Sequence, residues 1–264
     1  MTGISDREWH VAIEAARRAG EKIRARYARN FTVRYKRKHD PVTEADLEAN
    51  EAIQRAIRAA FPDDGWLSEE TRDSPERLGR SRVWSVEPLD GAREFVEGIP
   101  EFVVCVALAV DGSPVLGVAY NPIREELFCG ARGRGMFLNG ASVGVTATAS
   151  LEAARFLASR SEERRGEWDE FKHELQVALT GSVAYKLALI AAGKADATFS
   201  LTPKNEWDIC AGAALIEAGG GKITDRFGQP LRFNQPETRL PGIIATNGHL
   251  HDAVIALLRR HGKL

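Results

Sequence analysis

Trp84-Ser85-Val86-Glu87-Pro88-Leu89-Asp90-Gly91-Ala92 is the stretch on which the fold turns. It opens as a short strand, and Ala92-Arg93-Glu94-Phe95-Val96 continues it as one or two helical turns. A strand-to-helix junction exposes backbone N–H groups, and those bind anions. Glu87 and Asp90 put carboxylates beside the same spot. Negative side chains next to an anion site make sense if cations lie between them, and carboxylate oxygens are the ligands that hard cations such as Mg²⁺ prefer. The ordinary alternative is an acidic turn with Asp90 as an N-cap.

Two further stretches have the same character. Leu67-Ser68-Glu69-Glu70 and Glu206-Trp207-Asp208-Ile209-Cys210-Ala211 also set carboxylates at or near the end of an apolar run. Taken singly, each has a plain reading. Glu69 and Glu70 are a solvated loop pair, and Asp208 and Asp46 are first-turn helix residues favoured by the dipole. Taken together, they suggest one shared metal site and metal-assisted phosphate chemistry.

Outward from the junction the pattern divides. Trp9, Ile13, Ala16, Gly20, Ile23 and Tyr27 recur at steps of three and four, which is one face of an amphipathic helix. Phe31 to Tyr35 alternates like a strand that Pro41 ends, and Thr43-Glu44-Ala45-Asp46 opens a second helix with a capping-box variant. After a turn at Phe61 to Gly65 come short β-rich runs at Val83–Val86, Phe102–Val110, Val115–Tyr120 and Glu126–Cys129. Gly112-Ser113-Pro114, Asn121-Pro122, Gly133, Gly135 and Asn139-Gly140 mark turns among them. Residues 1–149 therefore read as two helices followed by an antiparallel sheet, with most of the candidate ligands. Residues 150–264 alternate, with strands at Ala153–Ser159, Ala197–Leu201 and Gly242–Thr246, and a short apolar run at Val177–Leu179. Helices are expected at Glu167–Leu175, Ser182–Ala192, Trp207–Ala218 and His249–Arg260. This is an α/β half, and the chain as a whole is mixed α/β (α+β).

The 264 residues, 44% hydrophobic and 28% charged, suit one large soluble domain or two closely packed ones. A net charge of -1 leaves no basic footprint for a nucleic acid polymer. Arg34-Tyr35-Lys36-Arg37-Lys38 is either a solvated strand end or a basic rim that attracts an anionic substrate. The longest apolar run, Phe102 to Val110, is too short to span a membrane. Asp6, Arg7 and Glu8 stand where a signal peptide needs apolar residues. Cys105, Cys129 and Cys210 have no zinc-like spacing and are odd in number, so they read as buried thiols in a reducing cytoplasm. Gly219-Gly220-Gly221-Lys222-Ile223-Thr224 is not a P-loop, because Ile223 follows the lysine. There is no Gly-x-Ser-x-Gly elbow, and His249-Leu250-His251 has no third ligand nearby in sequence.

Four ordered motifs carry a resemblance to the inositol monophosphatase superfamily of Mg²⁺-dependent, Li⁺-sensitive phosphomonoesterases. They are Asp40-Pro41-Val42-Thr43-Glu44-Ala45-Asp46, Ser68-Glu69-Glu70, Trp84 to Gly91, and Trp207-Asp208-Ile209-Cys210-Ala211-Gly212. The resemblance implies a layered αβαβα sandwich of the sugar-phosphatase type and a cytoplasmic homodimer acting on a small phosphorylated metabolite. It gives Glu69, Glu87, Asp90, Asp208 and the Leu89 carbonyl the role of ligands for two or three Mg²⁺ ions. It makes Asp46, Glu69 and Glu70 the catalytic carboxylates, with Asp46 behind the attacking water. Gly91, Ala92 and Arg93 would hold the substrate, the first two through their amides. The implied reaction is in-line attack on phosphorus by a metal-activated water.

Two positions depart from the family motif Trp-x-x-Asp-Pro-x-Asp-Gly-Thr. Glu87 stands for its first Asp, and the extra C–C bond adds about 1.5 Å of reach. Mg²⁺ demands near-ideal octahedral geometry, so Glu87 shifts an ion or favours a tolerant one such as Mn²⁺. Ala92 stands for its Thr and lacks the hydroxyl that links the water to an Asp, a loss of about 10²–10⁴ in rate. The chain therefore reads as an enzyme, or as a weakened relative that binds a phosphorylated ligand. Arg93-Glu94-Phe95, Leu67-Ser68-Glu69-Glu70 and Arg82-Val83-Trp84 look closest to the 3′(2′),5′-bisphosphate nucleotidase branch, which acts on 3′-phosphoadenosine 5′-phosphate. Leu201 stands where the inositol branch tends to place a Glu. Inositol 1-phosphate is the alternative substrate.

Overall fold

The computed structural model describes residues 3–27, 33–37 and 40–264, with 33–37 and 40–43 described as backbone alone. Helix α1 (Asp6–Arg26) is started by a capping box, in which the Ser5 N–H donates to Glu8 Oε2 at 2.7 Å and the Ser5 hydroxyl accepts from the Glu8 amide. Its buried face of Ala12, Ala15, Ala16 and Ala19 lets α2 (Glu44–Ala60) pack closely along it. Strands β1 (Val33–Arg37) and β2 (Asp40–Thr43) form an antiparallel ribbon between the two helices. Pro41 lies inside β2 instead of ending a strand; both strands of a two-stranded ribbon are edges, where proline costs no ladder bond. Phe31, Thr32 and Lys38 lie outside the described residues, as do the side chains of Arg34 to Arg37.

Seven strands then form one sheet in sequence order: β3 (Gly65–Ser68), β4 (Arg82–Asp90), β5 (Val103–Val110), β6 (Ser113–Asn121), β7 (Glu126–Ala131), β8 (Gly135–Leu138) and β9 (Ala141–Val143). Only the β3–β4 pair is parallel. β3 went unread in the sequence because its four residues are all buried and show no alternation. β5 is buried on both sides and sorts its residues by parity. Val103, Cys105 and Ala107 enter one core, and Val104, Val106 and Leu108 enter another with α1 and α2.

The chain continues through α3 (Ala92–Val96), β10 (Arg155–Ala158), α4 (Arg160–Arg164), β11 (Gln176–Leu179), α5 (Val183–Ala191), β12 (Ala197–Ser200), β13 (Lys204–Asn205), α6 (Glu206–Ala218), β14 (Lys222–Asp225), β15 (Arg239–Leu240), β16 (Ile243–Thr246) and α7 (His251–Arg260). The second large sheet has the order β11-β10-β12-β16-β14, while β13 and β15 pair with each other. The helix expected over 167–175 is instead a string of turns. Asp169 bonds back to Gly166, Phe171 to Trp168 and Glu174 to Phe171, each over three residues. Trp168, Phe171 and Leu175 are buried against β10, β12 and α7, and turns satisfy that spacing as well as a helix does. The helix in this region is α4, capped by Ser159 and Glu162.

The layers are α1 and α2, the seven-stranded sheet, α5 and α6, the five-stranded sheet, and α7 with the turns. This is the αβαβα order that the resemblance implies. α6 lies almost on the backbone of β6, since a Cβ at Gly117 would fall 2.3 Å from the Ala211 carbonyl oxygen. All three cysteines are buried and free. His251 is buried between the Thr224 and Thr246 hydroxyls, 3.0 and 3.3 Å from its ring nitrogens, and so is a core residue. Among the described residues no helix is long and apolar enough to cross a membrane.

Candidate active site

One cavity of about 300 Å³ opens where the two sheets and α6 converge. Asp46, Glu69, Glu70, Glu87, Leu89, Asp90, Gly91, Ala92, Arg93 and Asp208 all line it, so the structure brings together every site residue that the sequence put forward.

β4 is why Glu87 and Asp90 share the cavity. Side chains three apart on a regular strand point to opposite faces. Here Glu87 stands opposite Cys105 while Asp90 stands opposite Val103, so β4 carries one extra residue between them. Pro88, which has no N–H for the ladder, sits in this bulge. The Leu89 N–H turns in and donates to Glu87 Oε1 at 3.2 Å. Gly91 follows with φ of 100° and acts as N-cap of α3; a Cβ there would stand 2.9 Å from the Glu101 carbonyl oxygen. α3 therefore begins at the cavity wall, and the first amides of a helix lack intrahelical acceptors.

The carboxylates are crowded. Glu87 is 2% exposed, and its Oε2 is buried without a hydrogen-bond partner. Burial, then the charge of Glu69 and a hydrogen bond shared with it, then the charges of Asp208 and Asp90, push its pKa well above the usual carboxylate range. Asp208, in the first turn of α6, accepts the Asn205 N–H at 2.9 Å. Burial and then the Asp90 charge push it up to about 8. Asp90 Oδ2 accepts from the Ser182 hydroxyl and from the Ala184 N–H at 2.7 Å; burial still raises its pKa against those two donors.

Among the described residues, no three His, Cys, Asp or Glu side chains are already closed around a point that would hold an ion. The acidic groups line the cavity instead, as mutually repelling carboxylates do. The donor set nevertheless fits a hard divalent cation. It is all oxygen, it includes the orphaned Glu87 Oε2, and the Leu89 carbonyl lies at the same wall.

The opposite wall was not legible in the sequence. Glu162 Oε2 accepts the Ser159 N–H at 2.9 Å and Lys186 Nζ at 3.2 Å. Its Oε1 accepts the Ser200 hydroxyl at 2.8 Å, and Lys204 Nζ lies 3.8 Å away. Burial would raise the Glu162 pKa, yet the two lysines and these donors outweigh it and hold the carboxyl far below its usual range. Ser182, which the sequence marks only as the start of a helix, is an N-cap with φ of 59°. The one available signal was Lys186, a lone charge inside the apolar helix Val183–Ala191.

A family model described as the inositol monophosphatase family matches residues 6–263. Inositol monophosphatase 2 of Solanum lycopersicum is 34% identical over 260 residues, covering 94% of this chain and 96% of that protein. Among solved structures, the inositol monophosphatase of Thermotoga maritima superposes with a TM-score of 0.84 at 28% identity, covering 95% of this chain and 96% of that one. CysQ of Bacteroides thetaiotaomicron, a bacterial member of the same family, does so with a TM-score of 0.72 at 31% identity, over 90% of this chain and 96% of that one. The carboxylates gathered at the β4 bulge and at the head of α6 thus stand in a chain matched over nearly its whole length, and it belongs to the inositol monophosphatase family of metal-dependent phosphatases.

Proposed function

We propose that this phosphatase hydrolyses a small phosphorylated metabolite bearing a second anionic group, with 3′-phosphoadenosine 5′-phosphate as the named candidate. The observation that carries this reading is the two-sided cavity. Across the cavity from Glu87, Lys186 and Lys204 share the single charge of Glu162, while Arg93 lines it beside Glu94 on α3. Lys204, at 3.8 Å, is the more loosely held of the two. A wall with surplus positive charge suits an anion beyond the phosphate being cleaved. Inositol 1-phosphate is the second reading, favoured by the Solanum relative's name and its coverage of 94% of this chain.

Glu69, Glu87, Asp90, Asp208 and the Leu89 carbonyl would hold divalent ions, Mg²⁺ first and Mn²⁺ tolerated at the longer Glu87, with Li⁺ as inhibitor. Such ions supply Lewis acidity, which activates water and offsets charge on the leaving oxygen. The chain's own groups do the rest. The Gly91 and Ala92 amides orient the phosphate. Asp46 and Glu70, carboxylates outside the ligand set, accept the proton that the attacking water loses. Ser182 and the Ala184 amide hold Asp90 in one rotamer. Ala92 carries no hydroxyl to relay that proton, so turnover is slower than with Thr there.

Phosphate release from both substrates, for the natural chain and for Glu87→Asp/Ala92→Thr, tests this. Fast release from the nucleotide by the natural chain supports the reading. Release from inositol 1-phosphate alone replaces it with the second. Calorimetric binding of the nucleotide without release, restored to turnover by the double change, makes the chain a weakened binder.

A further inference from the structure

Three segments meet behind the cavity wall, and two of them carry residues that line it. The first is the turn after β3, which carries Glu69 and Glu70 and runs on through Asp73 to the short 3-10 helix Pro75–Gly79. The second is the 232–238 loop. The third is the head of α6, which carries Asp208. Arg77, 3% exposed, grips Asp73 with a two-pronged bond, Nε to Oδ1 at 2.7 Å and Nη2 to Oδ2 at 2.9 Å. The same guanidinium donates to Asn234 Oδ1 at 2.8 Å and to the Gln235 carbonyl at 3.0 Å. Asn234 Nδ2 answers by donating to the Arg77 carbonyl at 3.0 Å. On the far side, Glu206 accepts the Asn234 N–H at 2.6 Å and the Gln235 N–H at 2.8 Å, one on each oxygen. Glu206 is 1% exposed and stands two residues before Asp208.

We propose that Arg77 and Glu206 are positioning residues. Through Asn234 and Gln235 they form a strut that sets the turn of Glu69 and Glu70 at a fixed distance from Asp208. The inference rests on reading the acidic cavity as a cation site. Carboxylates that repel one another spread apart unless something outside the cavity restrains the elements that carry them. On one side Asn50 restrains the turn, accepting the Ser68 hydroxyl at 2.7 Å and donating to Thr71 Oγ1 at 3.1 Å. On the other side, the strut is a hydrogen-bonded connection that runs from this turn to α6. A guanidinium is suited to the task because its planar fork fixes direction as well as distance. Groups that orient ligands in this way typically change metal affinity about 10–100-fold when removed.

The test is Mn²⁺ binding to the metal-free full chain by titration calorimetry, which needs no substrate and no turnover. The variants are Arg77→Lys, Glu206→Gln and Asn234→Gly. The last deletes the side-chain bonds of Asn234 to Arg77 and to the Arg80 carbonyl, while its φ of 59° is one that glycine adopts freely, so it carries the test if the others fail to fold. Arg82→Lys is the control, since Arg82 holds a similar fork to Asp64 with Glu8, and neither partner lines the cavity. The strut variants should weaken Mn²⁺ binding about tenfold or more, while the control lowers Tm and leaves binding unchanged. Variants that lose Tm and keep wild-type affinity overturn the strut and leave the cation site standing. A wild-type chain that binds no Mn²⁺ overturns both, and the phosphate-release assay shows whether the phosphatase reading falls with them.

Discussion

Glu87 and Glu162 line the same cavity with almost the same burial, 2% and 1% exposed, and burial alone pushes both toward the protonated form. They end at opposite extremes. Glu87 meets Glu69, Asp208 and Asp90, keeps an oxygen without a partner, and holds its proton far above the usual range. Glu162 meets Lys186, Lys204, Ser200 and the Ser159 amide, and loses its proton far below it. The difference lies in company, not depth. One carboxylate is complete within the protein, and the other keeps a buried oxygen that a cation from outside would complete.

Breaking the complete side should have the largest effect. Lys186→Met leaves Glu162 buried with its closer cation gone, which should cost about 3–5 kcal/mol of stability. Urea unfolding at neutral pH measures this, and a loss below about 1 kcal/mol would mean that Glu162 does not depend on its lysines. The incomplete side should show itself in pH. Asp208 has a folded pKa of about 8 against an ordinary value of 3.8, so the folded state holds a proton that the unfolded state has released between those values. The contribution of Asp208 to stability without metal is therefore intact below about pH 4 and falls as pH rises to about 8, by up to about 1.4 kcal/mol per unit. Adding Mg²⁺ should flatten that slope, with proton release on binding; a slope of the opposite sign in thermal melts would refute the assignment. The smallest effect sharpens the contrast. Glu87→Gln replaces a carboxyl that must take up a proton on folding with a neutral amide, so in EDTA it should gain about 0.5–2 kcal/mol while losing Mg²⁺-dependent turnover. A thermal melt beside a phosphate-release assay checks both halves.

The acidic side was legible in the sequence and the basic side was not, for a physical reason. Glu87 and Asp90 sit near the end of an apolar run and Asp208 at the start of one, and the alternation of β5 and the face of α1 likewise show in local spacing. Glu162 finds Lys186 across 24 residues and Ser200 across 38, and no local pattern encodes such a meeting. Ser182 reaches Asp90 across 92 residues, over the join between the two sheets. The misplaced helix at 167–175 teaches the same lesson from the other direction. The spacing of Trp168, Phe171 and Leu175 specifies which side chains go inward and leaves open the backbone that takes them there. The bulge in β4 was also out of reach, since Pro88 announces a break in pairing but not the direction in which its neighbours turn.

The missing side chain at Gly117 bears on how close Asp208 stands to Glu87 and Asp90. Glu87 and Asp90 belong to the seven-stranded sheet, whereas Asp208 rides on α6, and α6 stands as close to that sheet as the bare backbone of Gly117 allows. A methyl group at that position would force the helix outward by the better part of an ångström, given the 2.3 Å that it would leave to the Ala211 oxygen. The step from Mg–O to Ca–O bond lengths, from about 2.0–2.1 Å to about 2.3–2.6 Å, is smaller than that. A residue outside the cavity thus sets the spacing of the carboxylates within it, and a side chain there would open that spacing by more than the difference between the two bond lengths.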